Sequence, residues 1–199
     1  MKDLTAILDI GSSTGGFTDV ALKFGAKKVI AVDVGTNLLH ESLRGDNRVL
    51  LFENTDIRDL DSKYFSKVDI VVTDVSFISL FKIIEKVAKE NKNLDIICLI
   101  KPQFEVGREI AKKYRGIVLN KDIHKRLLVK MQEMFNSFEY YVKDITFSPI
   151  KGGDGNIEYI AYITTKIKNN KKNNYDDLVD IAFDKNNWFW YWQLYLTNI

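Results

Sequence analysis

The sequence is poor in cysteine and in long apolar runs, and both shortages narrow what the protein can be. Its one cysteine, Cys98, excludes an intramolecular disulfide framework and a cysteine-based metal cluster. Every apolar run falls short of the roughly 20 residues that cross a bilayer, and no signal peptide precedes the first predicted strand. We therefore expect a cytoplasmic protein with no membrane span and no metal site.

Net charge is also small, at +2, but it is unevenly distributed. Residues 101–130 hold nine Lys and Arg against three Asp and Glu, a local charge of +6, so the remainder of the chain sums to −4. A basic segment on a near-neutral protein is the electrostatic footprint expected for a polyanionic partner. An ordinary solvated surface explains the same charges equally well. The candidate polyanion contacts are Arg108, Lys112, Lys113, Arg115, Lys125 and Arg126.

A strand, a glycine-rich loop and a helix are predicted at the start of the chain. The apolar run Ala6-Ile7-Leu8 ends in Asp9 and is followed by small residues. Apolar residues then recur at helical spacing, at Phe17, Val20, Ala21 and Phe24. Such a unit binds ligands, because residues without bulk admit them to the backbone and the helix start offers unpaired N–H groups.

The spacing within this loop favours S-adenosylmethionine (SAM) over a dinucleotide. Read as G-x-G-x-x-G, the loop has Ser13 where the second glycine would admit a pyrophosphate. It is closer to the D/E-x-G-x-G-x-G loop of SAM methyltransferases, and Asp9 suits a ligand with an amino group and a sulfonium. A glycine turn that only begins a helix is the alternative. The predicted cofactor contacts in the loop are Asp9, Gly11, Ser12, Ser13, Thr14, Gly15, Gly16 and Phe17.

Acidic residues end or follow the next three predicted strands. Asp33 lies 22 residues after Gly11, the separation at which an acid binds the ribose hydroxyls of an adenine nucleoside. Asp56 follows the third strand, where it can accept a hydrogen bond from the adenine amino group, and Asp74 ends the fourth. Ligands of open α/β sheets bind at the carboxyl ends of the strands, so we expect the cofactor cleft there.

The remaining pattern predicts an α/β, Rossmann-like fold with a mostly parallel seven-stranded sheet and a C-terminal antiparallel hairpin. The fifth strand is continuously apolar, holds Cys98 as a core residue and ends at Lys101-Pro102. Residues 102–120 are expected to form a long connection, and His124, in the helix that follows, is expected at the surface. We divide the chain into a domain over 1–167 and a polar linker with an aromatic tail over 168–199.

Four strings in the sequence resemble the TlyA or haemolysin-A group of RNA 2′-O-methyltransferases, within the FtsJ-like class. Their extent, over about residues 6–166, makes coincidence implausible. The strings are Leu8-Asp9-Ile10-Gly11-Ser12-Ser13-Thr14-Gly15-Gly16-Phe17-Thr18-Asp19, Asp74-Val75-Ser76-Phe77-Ile78-Ser79, Lys101-Pro102-Gln103-Phe104-Glu105-Val106-Gly107 and Gly155-Asn156-Ile157-Glu158-Tyr159. The resemblance implies a SAM-dependent ribose methyltransferase acting on ribosomal RNA, with cytidine as the expected nucleotide and the basic segment as the RNA contact.

The FtsJ-like class uses a Lys-Asp-Lys-Glu tetrad, and the resemblance implies that Asp74, Lys101 and Glu158 are three of its members. A ribose hydroxyl has a pKa of about 12 or above, so a nearby amine must accept its proton. Lysine can do so when burial or another cation lowers its pKa. Lys101 is therefore the expected base, with Asp74 and Glu158 orienting the lysine and the hydroxyl for attack on the sulfonium methyl.

The chain also departs from this family. The family carries a small RNA-binding domain and then the segment that supplies the first lysine of the tetrad, whereas Met1 here is only ten residues before Gly11. Lys2 is too close to the first strand to replace that lysine. Two alternatives to the enzyme therefore stay open: a SAM-binding RNA-interaction protein with impaired catalysis, and a haemolysin-like protein.

Overall fold

The fold is a seven-stranded sheet in the order β3-β2-β1-β4-β5-β7-β6, seen in a computed structural model that describes residues 6–167 and 173–184. The first five strands are parallel, and β7 pairs antiparallel with both β5 and β6. The predicted fold class, including the terminal hairpin, is confirmed. The strands are β1 (Ala6–Ile10), β2 (Lys28–Val32), β3 (Val49–Phe52), β4 (Ile70–Thr73), β5 (Asp95–Ile100), β6 (Tyr141–Phe147) and β7 (Tyr159–Thr164).

Helices cover both faces of this sheet. Alternate residues of β1 separate the two cores: Leu8 packs with the core of α3, α6 and α7, whereas Ile7 packs with that of α1 and α2. All five residues of β1 are buried because strands flank both of its edges and helices cover both faces of the sheet. The helices are α1 (Gly16–Lys23), α2 (Glu41–Arg44), α3 (Leu80–Glu90), α4 (Pro102–Glu105), α5 (Arg108–Lys113), α6 (Lys121–Ser137) and α7 (Asp176–Phe183).

The topology brings four chain segments to one edge of the sheet. Because β1, β2, β4 and β5 are parallel, the residues that follow them, including Asp33, Asp74 and Lys101, lie at the same edge. The antiparallel strand β7 begins at this edge, so Glu158, the residue just before it, lies there too. Residues that are distant in sequence are therefore neighbours.

The structure corrects the predicted apolar face of α1. Val20 is 50% and Phe24 77% exposed, and the buried residues are Thr18, Ala21 and Leu22. The Thr18 hydroxyl donates to Asp9 Oδ2 over 2.6 Å. That hydrogen bond turns the Thr18 side of this two-turn helix towards the sheet.

His124 is also not where it was expected, since it is fully buried rather than at the surface. It shares the packed face of α6 with Leu127, Leu128 and Met131. Its Nε2 lies 2.7 Å from the Val118 carbonyl oxygen and its Nδ1 lies 2.7 Å from the Tyr159 hydroxyl. A carbonyl only accepts, so Nε2 carries the proton and Nδ1 accepts from Tyr159. Burial lowers the pKa of His124 and keeps this ring neutral.

The structure shows helices in the predicted connection over 102–120 and leaves the predicted domain boundary untested. The expected connection over 102–120 contains the short helices α4 and α5. Tyr175 and Val179, at the start of and within α7, belong to the same core as α6. The predicted division after residue 167 stays a prediction, and Lys2, residues 168–172 and the aromatic tail lie outside the described residues. No helix within the described ranges is long and apolar enough to cross a membrane.

Candidate functional site

A cavity of about 350 Å³ opens at the carboxyl edge of β1, β2 and β4. Residues from segments 10–13, 32–38, 55–57 and 74–78 line it. Five of the predicted cofactor contacts are among the lining residues: Gly11, Ser13, Asp33, Asp56 and Asp74. Apolar side chains, including those of Val34, Leu38 and Ile57, supply much of the remaining wall. The cavity thus combines apolar surface with several carboxylates, as ligand sites commonly do.

Glycine is required at two positions of the loop that precedes α1. Gly11 has a φ of +78°, and its N–H donates to the Val32 carbonyl over 2.8 Å. A Cβ on Gly11 would lie 2.6 Å from the Asp74 carbonyl oxygen, so only glycine lets the loop approach β4 this closely. Gly15 has a φ of +102°, and a Cβ there would collide with the Leu43 side chain.

Asp33 joins this loop to the segment that follows β2. Its Oδ2 accepts the Ser13 N–H over 2.8 Å, and its Oδ1 accepts the Gly35 N–H over 2.7 Å. Asp56 accepts hydrogen bonds from the backbone and the guanidinium of Arg58, which hold the pKa of that carboxyl below its usual range. Both carboxylates lie at the wall of the cavity.

The other predicted cofactor contacts are not among the residues that line the cavity. Asp9 is fully buried within β1, where burial raises its pKa from 3.8 to about 6 against the opposing hydrogen bond from Thr18. Ser12 is buried as well, and Phe17 packs in the core of α1 and α2. The Asp9, Ser12 and Phe17 side chains thus support the loop from within the fold, whereas Thr14 and Gly16 are exposed. The predicted contacts that do not line the cavity are Asp9, Ser12, Thr14, Gly15, Gly16 and Phe17.

The lysine that follows β5 lies beside the cavity. Lys101 Nζ is 2.6 Å from Asp74 Oδ1 and donates to Ser76 Oγ over 3.0 Å. The Lys101 side chain is only 13% exposed and that of Asp74 39%, so water screens this ion pair incompletely. The arrangement places a primary amine next to a carboxylate at the cavity wall.

Glu158 adds a second carboxylate to this group. Burial raises its pKa, while the charge of Lys101 and a hydrogen bond from Gln103 oppose that rise. Gln103 Nε2 donates to Glu158 Oε1 over 3.3 Å. Two nearby carboxylates can orient the amine towards a ligand hydroxyl, and the amine in its neutral form can accept the proton of that hydroxyl.

Sequence reasoning missed several residues of this site. Ser76 and Gln103 contact the lysine and the glutamate directly. Phe77 is 91% exposed with a φ of +65°, and its ring lies 5.0 Å from that of Phe104. These four residues lie within four positions of Asp74 or Lys101 in the sequence. Their closeness to the predicted catalytic residues was therefore the signal that could have identified them.

The predicted polyanion contacts fall into two groups. Arg108, Lys112 and Lys113 on α5, Arg115 just after it and Arg126 on α6 are exposed. Lys125 instead lies 3.3 Å from Asp180 and 3.5 Å from Asp176 of α7. Its charge is therefore compensated within the protein, and the five others form what we call the basic surface.

Comparison with known proteins identifies the family. The profile of the FtsJ-like methyltransferases matches residues 2–164. The chain belongs to this family. The resemblance to TlyA and haemolysin A is confirmed by hemolysin A of Brachyspira hyodysenteriae, 44% identical over 78% of this chain and 65% of that protein. The 23S rRNA (cytidine-2'-O)-methyltransferase TlyA of Campylobacter jejuni is 40% identical over 78% of this chain and 60% of that protein.

Solved structures support the same relationship. One named "Putative hemolysin from Streptococcus thermophilus" superposes with a TM-score of 0.84 at 41% identity, covering 92% of this chain and 69% of that one. The likeness therefore extends over most of this chain. The chain spans about three fifths of the length of the relatives that share its sequence.

Proposed function

We propose that the protein transfers a methyl group from SAM to a ribose 2′-hydroxyl of ribosomal RNA. The observation that carries this proposal is that Asp74, which lines the cavity, lies 2.6 Å from Lys101 Nζ, and that both charges act on Glu158. An amine that carboxylates orient towards a ribose hydroxyl can remove the hydroxyl proton when the amine is neutral. A reaction on an amino group or a cytosine carbon would call for other groups, and Cys98, the one cysteine, is fully buried.

The cavity fits SAM in size and in the chemistry of its lining. A volume of about 350 Å³ falls in the range of small-molecule sites. Asp33 has the position to accept hydrogen bonds from ribose hydroxyls, and Val34, Leu38 and Ile57 offer apolar surface for adenine. Gly11 would let the amino-acid end of the cofactor approach the backbone. When bound, SAM supplies an electrophilic methyl group on a sulfonium.

Three side chains then act on the acceptor ribose. Lys101 Nζ, in its neutral form, would accept the proton of the 2′-hydroxyl as its oxygen bonds to the methyl carbon; the carbon–sulfur bond would break and S-adenosylhomocysteine would leave. Asp74 holds Lys101 in place and stabilises its ammonium form, and Glu158 orients the hydroxyl. Ser76, which accepts a hydrogen bond from Nζ, restricts the lysine further.

Ribosomal RNA is the substrate class favoured by the relatives and by charge. Two relatives are named as cytidine-2′-O-methyltransferases of 23S or of 16S and 23S rRNA. The exposed residues of the basic surface would bind RNA phosphates. Cytidine is accordingly the proposed nucleotide, and a ribosomal substrate implies a cytoplasmic protein.

The proposal is tested by incubating the protein with methyl-labelled SAM and ribosomal subunits that lack the modification. We expect the label in rRNA at a nucleotide whose 3′ phosphodiester resists alkaline hydrolysis, because a 2′-O-methyl group blocks that cleavage. Label on a base, or in protein only, would contradict ribose methylation. SAM binding without any transfer would favour an RNA-interaction protein with impaired catalysis.

A haemolysin-like activity is the second candidate, because the names of two similar proteins include the word hemolysin. Release of haemoglobin from erythrocytes by the purified protein measures it directly. Lys101→Ala serves as the matched variant: lysis that persists in this variant would separate the activity from the methyl-transfer site.

A further inference from the structure

The one-turn helix α4, which follows Lys101, is anchored to the start of α3. Glu105, at the end of α4, accepts the Leu80 N–H over 2.7 Å and the Ser79 hydroxyl over 2.8 Å. Pro102, its first residue, is buried and has the fixed φ that suits a helix start. Because both of its ends are fixed, α4 presents Gln103, one of the two residues between them, in a defined position.

Gln103 contacts the carboxylate of Glu158 from one side, and a turn confines that carboxylate from the other. A Cβ on Gly152 would lie only 2.6 Å from Glu158 Oε1, the oxygen that Gln103 contacts. This turn is held by hydrogen bonds from Gly152 N–H to the Asn156 carbonyl and from Gly155 N–H to the Gly152 carbonyl, at 3.0 and 2.7 Å. The Glu158 carboxylate is thus enclosed between α4 and residues 152–156.

The environment of Gln103 also argues against a purely structural role. Its Oε1 is buried and has no hydrogen-bond partner among the described residues. An unpaired buried amide oxygen destabilises a fold, so packing alone would favour an apolar side chain here. The position instead carries an amide whose donor reaches a carboxylate in the site.

We infer that Gln103 is a positioning residue, whose side-chain amide holds the Glu158 carboxylate in place beside Lys101 and Asp74. The part that this carboxylate plays in methyl transfer rests on the proposed function. The hydrogen bond between Gln103 and Glu158 does not depend on the proposed function. A hydrogen-bond donor stabilises the charged carboxylate, as the charge of Lys101 does, whereas burial and the charge of Asp74 oppose its ionisation.

The inference is tested with Gln103→Met, which keeps the length of the side chain and removes the donor. A carboxyl NMR titration, with the Glu158 resonance assigned from its loss in Glu158→Gln, reports the pKa of Glu158. We expect this pKa to rise in Gln103→Met and to be unchanged in Gln132→Met, a matched substitution on α6. Equal Glu158 pKa values in the wild type and Gln103→Met would overturn the inference. Gln103→Ala replaces Gln103→Met if the latter does not fold.

Kinetics then test the positioning role. In Gln103→Met we expect kcat to fall roughly tenfold or more with the KM for SAM unchanged, and the acidic limb of the kcat–pH profile to move to higher pH. Gly152→Ala, which crowds the same oxygen without altering α4, should lower kcat as well. Unchanged kcat in both variants would refute the role. Absence of transfer by the wild type would instead refute the proposed function, and the titration would still decide whether Gln103 holds Glu158.

Discussion

Lys101 Nζ lies 2.6 Å from Asp74 Oδ1, although the two residues follow different strands and are 27 positions apart in the sequence. They meet because β4 and β5 are adjacent and parallel. Asp74 lines the cavity, and the charges of both residues act on the Glu158 carboxyl. This relationship underlies the first prediction.

Replacing Lys101 should remove methyl transfer while SAM affinity stays nearly intact, because the residue acts on the acceptor. Lys101→Ala should abolish 2′-O-methylation, and Lys101→Arg should be almost as inactive because a guanidinium does not release its proton near neutral pH. Labelled transfer and calorimetry with S-adenosylhomocysteine measure the two effects, and Lys23→Ala on α1 is the control. Full activity of Lys101→Ala would show that the lysine is not the base.

Asp33→Ala should weaken binding of S-adenosylhomocysteine by about 1–3 kcal/mol, through loss of charge-assisted hydrogen bonds to the ribose. The substitution also removes the acceptor for the Ser13 and Gly35 N–H groups, so the loop around the ligand loosens. Calorimetry measures the change. Asp19→Ala, an exposed acid on α1, should have no effect. Tight binding of NADH by the wild type would contradict a SAM site.

Two glycines of the loop should differ sharply in their tolerance of alanine. Gly11→Ala places a Cβ 2.6 Å from the Asp74 carbonyl at a φ of +78°, so we expect loss of SAM binding and lower thermal stability. Gly16 begins α1 and has open space around its Cα, so Gly16→Ala should be neutral or stabilising by up to about 1 kcal/mol. Melting curves and calorimetry compare the pair; equal effects would contradict this account.

Asp9 should make stability depend on pH in the acidic range. Burial raises its pKa from 3.8 to about 6, so between these values the native state keeps a proton that the unfolded state releases. The proton on Asp9 therefore stabilises the native state at pH 4, and this stabilisation is lost as the pH rises to about 6. Relative to Asp9→Asn, the wild type should lose up to about 3 kcal/mol over this range. Urea unfolding at several pH values measures it, with Asp19→Asn as control; parallel profiles would refute it.

The basic surface should govern how RNA affinity depends on salt. Neutralising Arg108, Lys112 and Lys113 to Gln should reduce the slope of log affinity against log salt by roughly one per lost phosphate contact. Measuring the affinity for an rRNA fragment at salt concentrations between about 50 and 200 mM gives this slope. The control variant neutralises three lysines at the opposite edge of the sheet, Lys63, Lys89 and Lys92. Equal slopes in both variants would assign the basic surface to solubility.

The sequence by itself determined the local units and their order. The strand–loop–helix start, the basic segment and the lysine after β5 were predictable because each depends on neighbouring residues: apolar runs form strands, and small residues form the loop. The order of strands and acids then placed the cavity at one edge of a parallel sheet. The roles of the site residues, by contrast, stay predictions until the variants above are measured.

Only the tertiary structure decided which distant groups meet. Gln103 reaches Glu158, and Lys125 is compensated by Asp180, each across 55 positions of sequence. The first contact requires β7 to pair with β5, and the second requires α7 to pack on α6. His124 is buried for the same reason, since Val118 and Tyr159 come from a loop and a strand that complete its hydrogen bonds. Sequence periodicity describes one element at a time, whereas these pairings depend on how the elements pack.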